Sequence, residues 1–295
     1  MPQSSNSESG DPVLRLALPK GRMQAGVFAL LAEAGISVRS SERGYRPSVS
    51  LPGVDAKILK PQTIVEMLHA GSRDVGFAGA DWVSELGAEL VEVLDTGLDR
   101  VTLVAAAPAG LVAGGRLPDR PVVVASEYER LTKRWIGERG LAASFVRSYG
   151  ATEVFPPEDA DCIVDIAATG ETLRAQGLQV FDELMASSTR LYASRRAASD
   201  PTKRAAVDRL ALLLRSVLDA RKRVMLEVNV AKGDLERLVE VLPCMREPTV
   251  SALHGGGAYA VKAAVPRDRL PLLIPEIKAR GGTDIVVSQL SQIIP

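Results

Sequence analysis

The densest group of residues able to do chemistry is the run Asp161-Cys-Ile-Val-Asp165-Ile-Ala-Ala-Thr169-Gly170-Glu171-Thr172-Leu173. Its apolar stretch, Cys162 to Ala167, predicts a buried strand, Thr169-Gly170 a turn, and Leu173, Arg174 and Ala175 a short helix. A strand-to-helix turn leaves several backbone N–H groups unpaired and aimed the same way, at the positive end of the helix dipole. Such a turn, Ala168 to Thr172, is a seat for a phosphate. Gly170 removes a side chain that would hold the anion off, and Thr169 and Thr172 add hydroxyl donors. Asp165, at the strand end, could take ribose hydroxyls or a hydrated magnesium ion. Glu171 repels an anion, but an exposed like-charge pair costs only about 1 kcal/mol. Each hydrogen bond to a charged group returns roughly 1.5–3 kcal/mol, so the loop holds its ligand if Glu171 points to solvent. For an isolated Thr-Gly, a plain turn with Thr169 as N-cap is the alternative.

A second charged turn, Lys20-Gly21-Arg22, follows the first strand and precedes the first helix. Two solvated cations in a loop would explain it equally well. At the carboxyl edge of a parallel sheet, where open α/β folds bind ligands, they would instead neutralise pyrophosphate or triphosphate. Other signals fail. Gly255-Gly-Gly-Ala-Tyr-Ala260 matches G-x-G-x-x-A but lies between two strands with no helix after it. There is no P-loop and no G-x-S-x-G elbow. His69 and His254, with two isolated cysteines, cannot build a metal site and read as structural and turn residues.

The elements that must carry these turns alternate. Strands are expected at Leu14 to Pro19, Val54 to Leu59, Asp74 to Ala78, Val101 to Ala107, Pro121 to Ala125 and Ser144 to Arg147. Helices are expected at Met23 to Ala34, Pro61 to Ala70 and Glu127 to Arg139. This βαβ alternation implies mostly parallel sheets with helices on their faces. Strands that break near 100 and resume near 186 suggest two lobes with crossing connections. Asp200-Pro201 caps a long helix to about Arg223, whose cations form a solvated face. From Val224 the order becomes βαββαβ, a ferredoxin-like unit of the kind found in amino-acid-sensing domains. So small a unit buries little surface alone and is expected to pack against copies of itself.

Composition sets the outer bounds. With 295 residues, 46% hydrophobic and 24% charged, the chain reads as a soluble protein of two or three domains. Lys+Arg and Asp+Glu are equal at 36 each, so no net field draws it to nucleic acid or membrane. Aromatics at 4% argue against base-stacking platforms. Cys162 and Cys244 read as buried free thiols of a reducing cytoplasm. Residues 1–12 read as a disordered polar tail rather than a signal peptide.

The Asp161–Leu173 run resembles the 5-phosphoribosyl-1-pyrophosphate loop of phosphoribosyltransferases, and its surroundings resemble the long-form ATP phosphoribosyltransferases that begin histidine biosynthesis. Leu14-Arg-Leu-Ala-Leu-Pro-Lys-Gly-Arg22 is similar to that family's opening strand and substrate turn. Asp74-Val-Gly-Phe-Ala-Gly-Ala-Asp81 is similar to its D-x-G-x-x-G-x-D segment, and Gly150-Ala-Thr-Glu-Val154 to the stretch before the loop. Ser188-Thr-Arg-Leu191 resembles its next strand. Leu242-Pro243, Glu247-Pro-Thr-Val250 and Gly281-Gly-Thr-Asp284-Ile285 resemble its regulatory domain. Lys60-Pro-Gln-Thr63 departs from R-P-x-D, Glu127 stands where a basic residue is usual, and the segment before Asp161 is short.

The resemblance implies two periplasmic-binding-protein-like lobes of type II, residues 13–100 with 186–222 and residues 101–185, followed by an ACT-like regulatory domain over 223–295. It implies transfer of the phosphoribosyl group to N1 of ATP with release of pyrophosphate, magnesium held mainly by substrate, and inhibition by histidine. Asp161, Asp165 and the Ala168–Thr172 loop would bind the donor. Lys20, Gly21, Arg22, Lys60, Asp81 and Glu153 would meet ATP or phosphates, and Asp165, Lys20 and Arg22 would be catalytic. Asn229, Met245, Thr249 and Asp284 would lie near histidine in a homo-oligomer, a dimer assembling to a hexamer. Two other readings stay open: a phosphoribosyltransferase for another base, and a non-catalytic two-lobed regulator.

Overall fold

The computed structural model describes residues 14–40 and 44–294; the tail expected over residues 1–12 lies outside them. Contacts divide the chain into two compact units, one running to Ala32 and over Ile36–Ala211, the other taking Glu33–Gly35 and Leu212 onward. That boundary falls inside a long helix, where the sequence reading places it at residue 223.

The first unit holds β1 (Leu14–Pro19), α1 (Arg22–Glu33), a small hairpin β2 (Val38–Arg39) and β3 (Ser48–Val49), β4 (Val54–Leu59), α2 (Pro61–His69), β5 (Val75–Gly79), α3 (Ala80–Leu86) and β6 (Leu90–Pro108). It continues with β7 (Val122–Ser126), α4 (Glu129–Arg139), β8 (Ala143–Arg147), β9 (Cys162–Ala167), α5 (Glu171–Ala175), β10 (Leu178–Ser194) and α6 (Arg195–Ser199), and enters α7 (Pro201–Arg221). One sheet runs β4-β1-β5-β10-β6-β9-β7-β8. Its two ends, β4-β1-β5 and β9-β7-β8, are parallel triplets. Between them β6 and β10 pair antiparallel with each other and with their neighbours.

This corrects two expectations. The sheet is mixed rather than mostly parallel. The strands near 100 and 186 do not break: β6 has 19 residues and β10 has 17, each passing through both halves. The ladder between them is irregular where Leu98 to Val101 faces Ser187 to Arg190, with register shifts on both sides of Thr189. Asp99 has φ +48° there, and a β-bulge of this kind bends and twists the strand.

The halves have separate cores. Leu103, Val124, Leu131, Trp135 and Val164 pack on one face of the second triplet, and Val104, Ile163, Leu173 and Leu178 on the other. In the first triplet Ala17, Ile64, Val65, Leu68 and Ala78 pack together. α7 is pinned to that triplet by Lys203, whose Nζ donates to Asp74 Oδ1 at 2.6 Å, while Arg15 N donates to Oδ2 at 2.8 Å. Asp74 is 1% exposed. Lys203→Ala would leave a buried carboxylate short of its cation. The usual cost of breaking such a pair, reduced because the lysine side chain keeps some solvent contact, gives an expected loss of about 2 kcal/mol, measurable by urea unfolding.

The second unit contains the end of α7 and then β11 (Arg223–Ala231), α8 (Leu235–Val239), β12 (Thr249–Ala252), β13 (Ala258–Pro266), α9 (Leu270–Ala279) and β14 (Thr283–Gln289). The sheet order β12-β13-β11-β14, all antiparallel, is that of a ferredoxin-like βαββαβ unit. Val224, Leu226, Val228 and Val230 alternate onto the helix-covered face with Leu238, Val261, Leu273 and Ile277.

Candidate active site

Each parallel triplet gathers its carboxyl ends at one edge. The two triplets run in opposite senses, so the β5 end pairs with Thr189 and the β9 end with Thr102, both near the middle of the long strands. β1, β4 and β5 end at Lys20, Lys60 and the Ala80-Asp81 turn. β7 and β9 end at Glu127 and the Ala168–Thr172 loop. These are the positions where open α/β sheets bind ligands. Lys20, Arg22, Gln62, Asp81, Trp82 and Ile166 are among the residues around a cleft of about 200 Å³. Gly21 takes φ +79° in the turn between the two cations, a backbone conformation glycine adopts without strain. Lys20 Nζ lies 5.4 Å from the centre of the Tyr45 ring. Lys60 is exposed just ahead of α2, outside the cleft lining itself.

Asp165 sits two residues before the end of β9, with Oδ1 accepting from Ile166 N at 2.7 Å. Burial, reinforced by the charges of Glu153 and Glu127, pushes its carboxyl up to about 6, while the Ile166 N–H and Arg22 pull it down. Ile166, the next residue, lines the cleft together with Arg22, so the end of β9 in the second half borders the same cleft as the Lys20–Arg22 turn of the first. The loop beyond Asp165 turns at Gly170, φ +73°, which is itself the N-cap of α5. The alternative of a plain turn capped by Thr169 is therefore not what forms; the Thr169 Oγ1 accepts only a long bond, 3.4 Å, from Glu171 N. Glu171 and Thr172 are exposed, and Arg174 Nη2 donates to Thr169 O. Ala168, Thr169 and Gly170 open onto a hollow of about 440 Å³, separate from the Lys20–Arg22 cleft.

Two expected site residues are spoken for elsewhere. Asp161 immediately precedes the six-residue β9, about 20 Å from the loop at a strand's ~3.3 Å per residue. Its oxygens accept from Arg120 and from Val123 N, each at 2.7 Å, which holds its carboxyl below the usual range. Asp161 is therefore outside the donor group. Asp81 lines the cleft but is 3% exposed, its oxygens bonded to Tyr128 OH at 2.8 Å and Ser187 Oγ at 2.9 Å. It shapes the cleft floor, and its negative charge would repel a phosphate. Burial and the Asp81 charge raise the Tyr128 phenol far above its ordinary value, so it stays a donor. Burial pushes Cys162 up to about 12, leaving no reactive thiol there.

In the second unit Asn229 Nδ2 donates to Asp284 Oδ2 at 3.1 Å, and Thr283 Oγ1 donates to the same oxygen at 3.1 Å. Thr249 faces the same side of the sheet, because it pairs with Lys262, which pairs with Glu227, two residues before Asn229. Met245 does not join them. It lies with Arg223 and Pro266, at the opposite end of β11, so one chain does not gather all four expected effector residues.

The sequence matches the family described as HisG, ATP phosphoribosyltransferase, over residues 60–216, and the HisG C-terminal domain over residues 220–292. The chain belongs to the ATP phosphoribosyltransferase family. The ATP phosphoribosyltransferase of Chlorobium chlorochromatii is 34% identical over 287 residues, covering 96% of this chain and 98% of that protein. The enzyme of Pelotomaculum thermopropionicum is 35% identical over 289 residues, covering 96% and 99%. Among solved structures, a chain of the ATP phosphoribosyl transferase (HisG:HisZ) complex from Thermotoga maritima superposes with TM-score 0.62 at 25% identity, covering 70% of this chain and 98% of that one. The chain is thus an ATP phosphoribosyltransferase of the long form, acting at the first step of histidine biosynthesis on ATP and 5-phosphoribosyl 1-pyrophosphate.

Several residues of the site escape sequence reasoning. Arg174 stands over the loop from the next helical turn, visible only once the turn's φ is known. Trp82, whose ring centre lies 4.7 Å from that of Tyr128, and Ser187, Ser188, Thr189 and Asp99 border the cleft. Nothing local in the sequence ties them together. Among the described residues no helix is long and apolar enough to cross a membrane.

Proposed function

We propose that the phosphoribosyl donor lies across the carboxyl edge of β9. Its 5-phosphate sits in the Ala168–Thr172 hollow, its ribose hydroxyls bond to Asp165, and its pyrophosphate turns toward Lys20 and Arg22. ATP enters the cleft between the halves, with Gly21, Lys60 and the α2 start at its mouth. The observation that carries this reading is that Arg22, which follows the first strand of one triplet, and Ile166, the neighbour of Asp165 on the other, line one cleft. N1 of ATP then attacks C1′ as the bond to pyrophosphate breaks, through an oxocarbenium-like transition state. No protein nucleophile is needed: positioning and neutralisation of the leaving group suffice.

Among the described residues no three His, Cys, Asp or Glu side chains are grouped to enclose a metal ion. In this reading magnesium is held mainly by the substrate, and Asp165, with the charges of Glu153 and Glu127 acting on it, favours a cation carried on the pyrophosphate. When bound, that ion would supply Lewis acidity toward the leaving group. Thr249 and the Asn229–Thr283–Asp284 cluster on the open sheet face support a histidine seat completed by Met245 from a neighbouring copy. Such a seat requires a homo-oligomer, dimers assembling to a hexamer, in the cytoplasm. The catalytic lobes are residues 13–100 with 186–222 and residues 101–185, and the regulatory domain residues 223–295.

Pyrophosphate release from ATP, donor and magnesium tests the scheme. Arg22→Ala is expected to lower kcat/KM about tenfold, the loss of a single charge-assisted contact worth ~1.5 kcal/mol, and histidine is expected to inhibit the parent enzyme. Unchanged kcat/KM in Arg22→Ala would remove Arg22 from the site.

A further inference from the structure

Helix α4 begins without a capping side chain of its own. Tyr128 occupies its N-cap, φ −96° and ψ 75°, and makes no side-chain cap bond, and a phenol cannot fold back onto the amides of the first turn. Those amides are satisfied from the other half of the sheet. Glu85 of α3 is 6% exposed; its Oε1 accepts from Arg130 N and its Oε2 from Leu131 N, each at 3.0 Å. One carboxylate thus does for α4 what an Asp or Ser N-cap does, at the positive end of the helix.

The grip is reciprocal. α3 ends at Gly87 in the left-handed conformation, and the Arg130 guanidinium packs so closely on Gly87 that a Cβ there would overlap it. Asp81 and Trp82, earlier on α3, meet Tyr128 by the hydroxyl bond and ring contact given above. Residues 81, 82 and 85 of one short helix therefore clasp residues 128, 130 and 131. α3 follows β5 of the first triplet and α4 follows β7 of the second. The halves are also joined by the β6–β10 ladder, irregular at Leu98 to Val101 and Ser187 to Arg190. A bulged ladder bends more easily than a regular one, so the clasp fixes the angle between the halves.

We infer that Glu85 is a positioning residue: through the α3–α4 clasp it holds the Lys20–Arg22 edge and the Asp165 edge at the separation the reaction requires. It touches no substrate. Loss of the clasp lets the halves part, and substrates must then close them. When the competent state is only a fraction of the population, apparent affinity falls by that fraction. This rests on the cleft between the halves being the substrate site, and the experiment separates the two ideas.

Full-length Glu85→Gln and Glu85→Ala would be compared with the parent by steady-state kinetics and by hydrogen exchange of the peptide covering residues 129–132. The alanine variant is expected to raise the product of the two KM values about tenfold, with kcat within about twofold. Exchange of the α4 first turn should speed up in the free enzyme and return to the parent rate when both substrates are saturating. The glutamine variant keeps one acceptor and should fall between. A lowered melting temperature with unchanged KM values would mean a purely structural cap and would overturn the inference. So would a faster exchange that substrates do not reverse. If Glu85→Ala opens the clasp without changing KM while Arg22→Ala still impairs catalysis, the coupling is wrong and the site stands. If Arg22→Ala is silent as well, the site is wrong.

Discussion

Asp165→Asn is expected to lower kcat/KM for the phosphoribosyl donor about 100-fold, from two charge-assisted hydrogen bonds weakened by ~1.4 kcal/mol each, and to flatten the acid limb of its pH profile. The carboxylate is raised to about 6 by burial and by its neighbours Glu153 and Glu127. Above that value it is ionised and accepts from ribose hydroxyls; as pH falls through about 6 it takes up a proton and that acceptor is lost. Glu127→Gln removes a neighbouring negative charge, favours the ionised form, and is expected to move the limb to lower pH. Glu153→Gln should act the same way. An acid limb that survives in Asp165→Asn would assign it to another group.

The same shift has a stability consequence of fixed sign. Asp165 binds its proton more tightly folded than unfolded, where its ordinary value is 3.8. The ionised group therefore destabilises the fold above about pH 6, and this cost fades as pH falls from 6 toward 3.8. Asp165→Asn should melt higher than the parent at pH 7.5, with the difference shrinking below pH 6. A residue that weakens the fold while ionised is retained for what it does to the ligand.

The parallel triplets were legible because their strands are short, apolar and closed by Gly, Pro or charged turns. β1, β4 and β9 begin and end where periodicity places them. β6 and β10 were not. The stretch Leu90 to Arg100 reads Leu-Val-Glu-Val-Leu-Asp-Thr-Gly-Leu-Asp-Arg, whose Gly and Asp pairs resemble a loop. Its polar groups are satisfied by tertiary bonds that no local pattern encodes, such as Thr189 Oγ1 to Asp99 at 2.7 Å and Ser188 Oγ to Asp95 at 2.8 Å. α3 is invisible for a related reason: seven residues show less than two turns of period, and Glu85 acts on a helix first encountered 44 residues later, at Glu129. Asp161 misled in the opposite direction. Sequence adjacency to Asp165 suggested one site, but a strand's length puts its two ends at opposite edges of the sheet.

Gly170→Val should weaken donor binding about 100-fold while leaving ATP binding measured alone within about twofold. The cause is backbone conformation rather than space among protein atoms. At φ +73° a residue with a Cβ is strained by about 1–2 kcal/mol, more when β-branched. Yet a Cβ there would meet only Arg174 Nη2 at 3.5 Å, an ordinary contact. A valine therefore relieves its strain by turning the 168–171 backbone out of the left-handed conformation. Thr169 O then leaves Arg174, and the amides that would hold the phosphate in the proposed seat turn away from it. Losing two N–H bonds to a phosphate at roughly 1.5 kcal/mol each accounts for the factor. Gly170→Ala should show a smaller loss in the same direction, and Arg174→Ala, which frees the Thr169 carbonyl without straining residue 170, should weaken the donor and spare ATP. Titration calorimetry with each substrate alone separates these cases. Donor affinity unchanged in the valine variant would mean that the sugar's phosphate is held somewhere other than this loop.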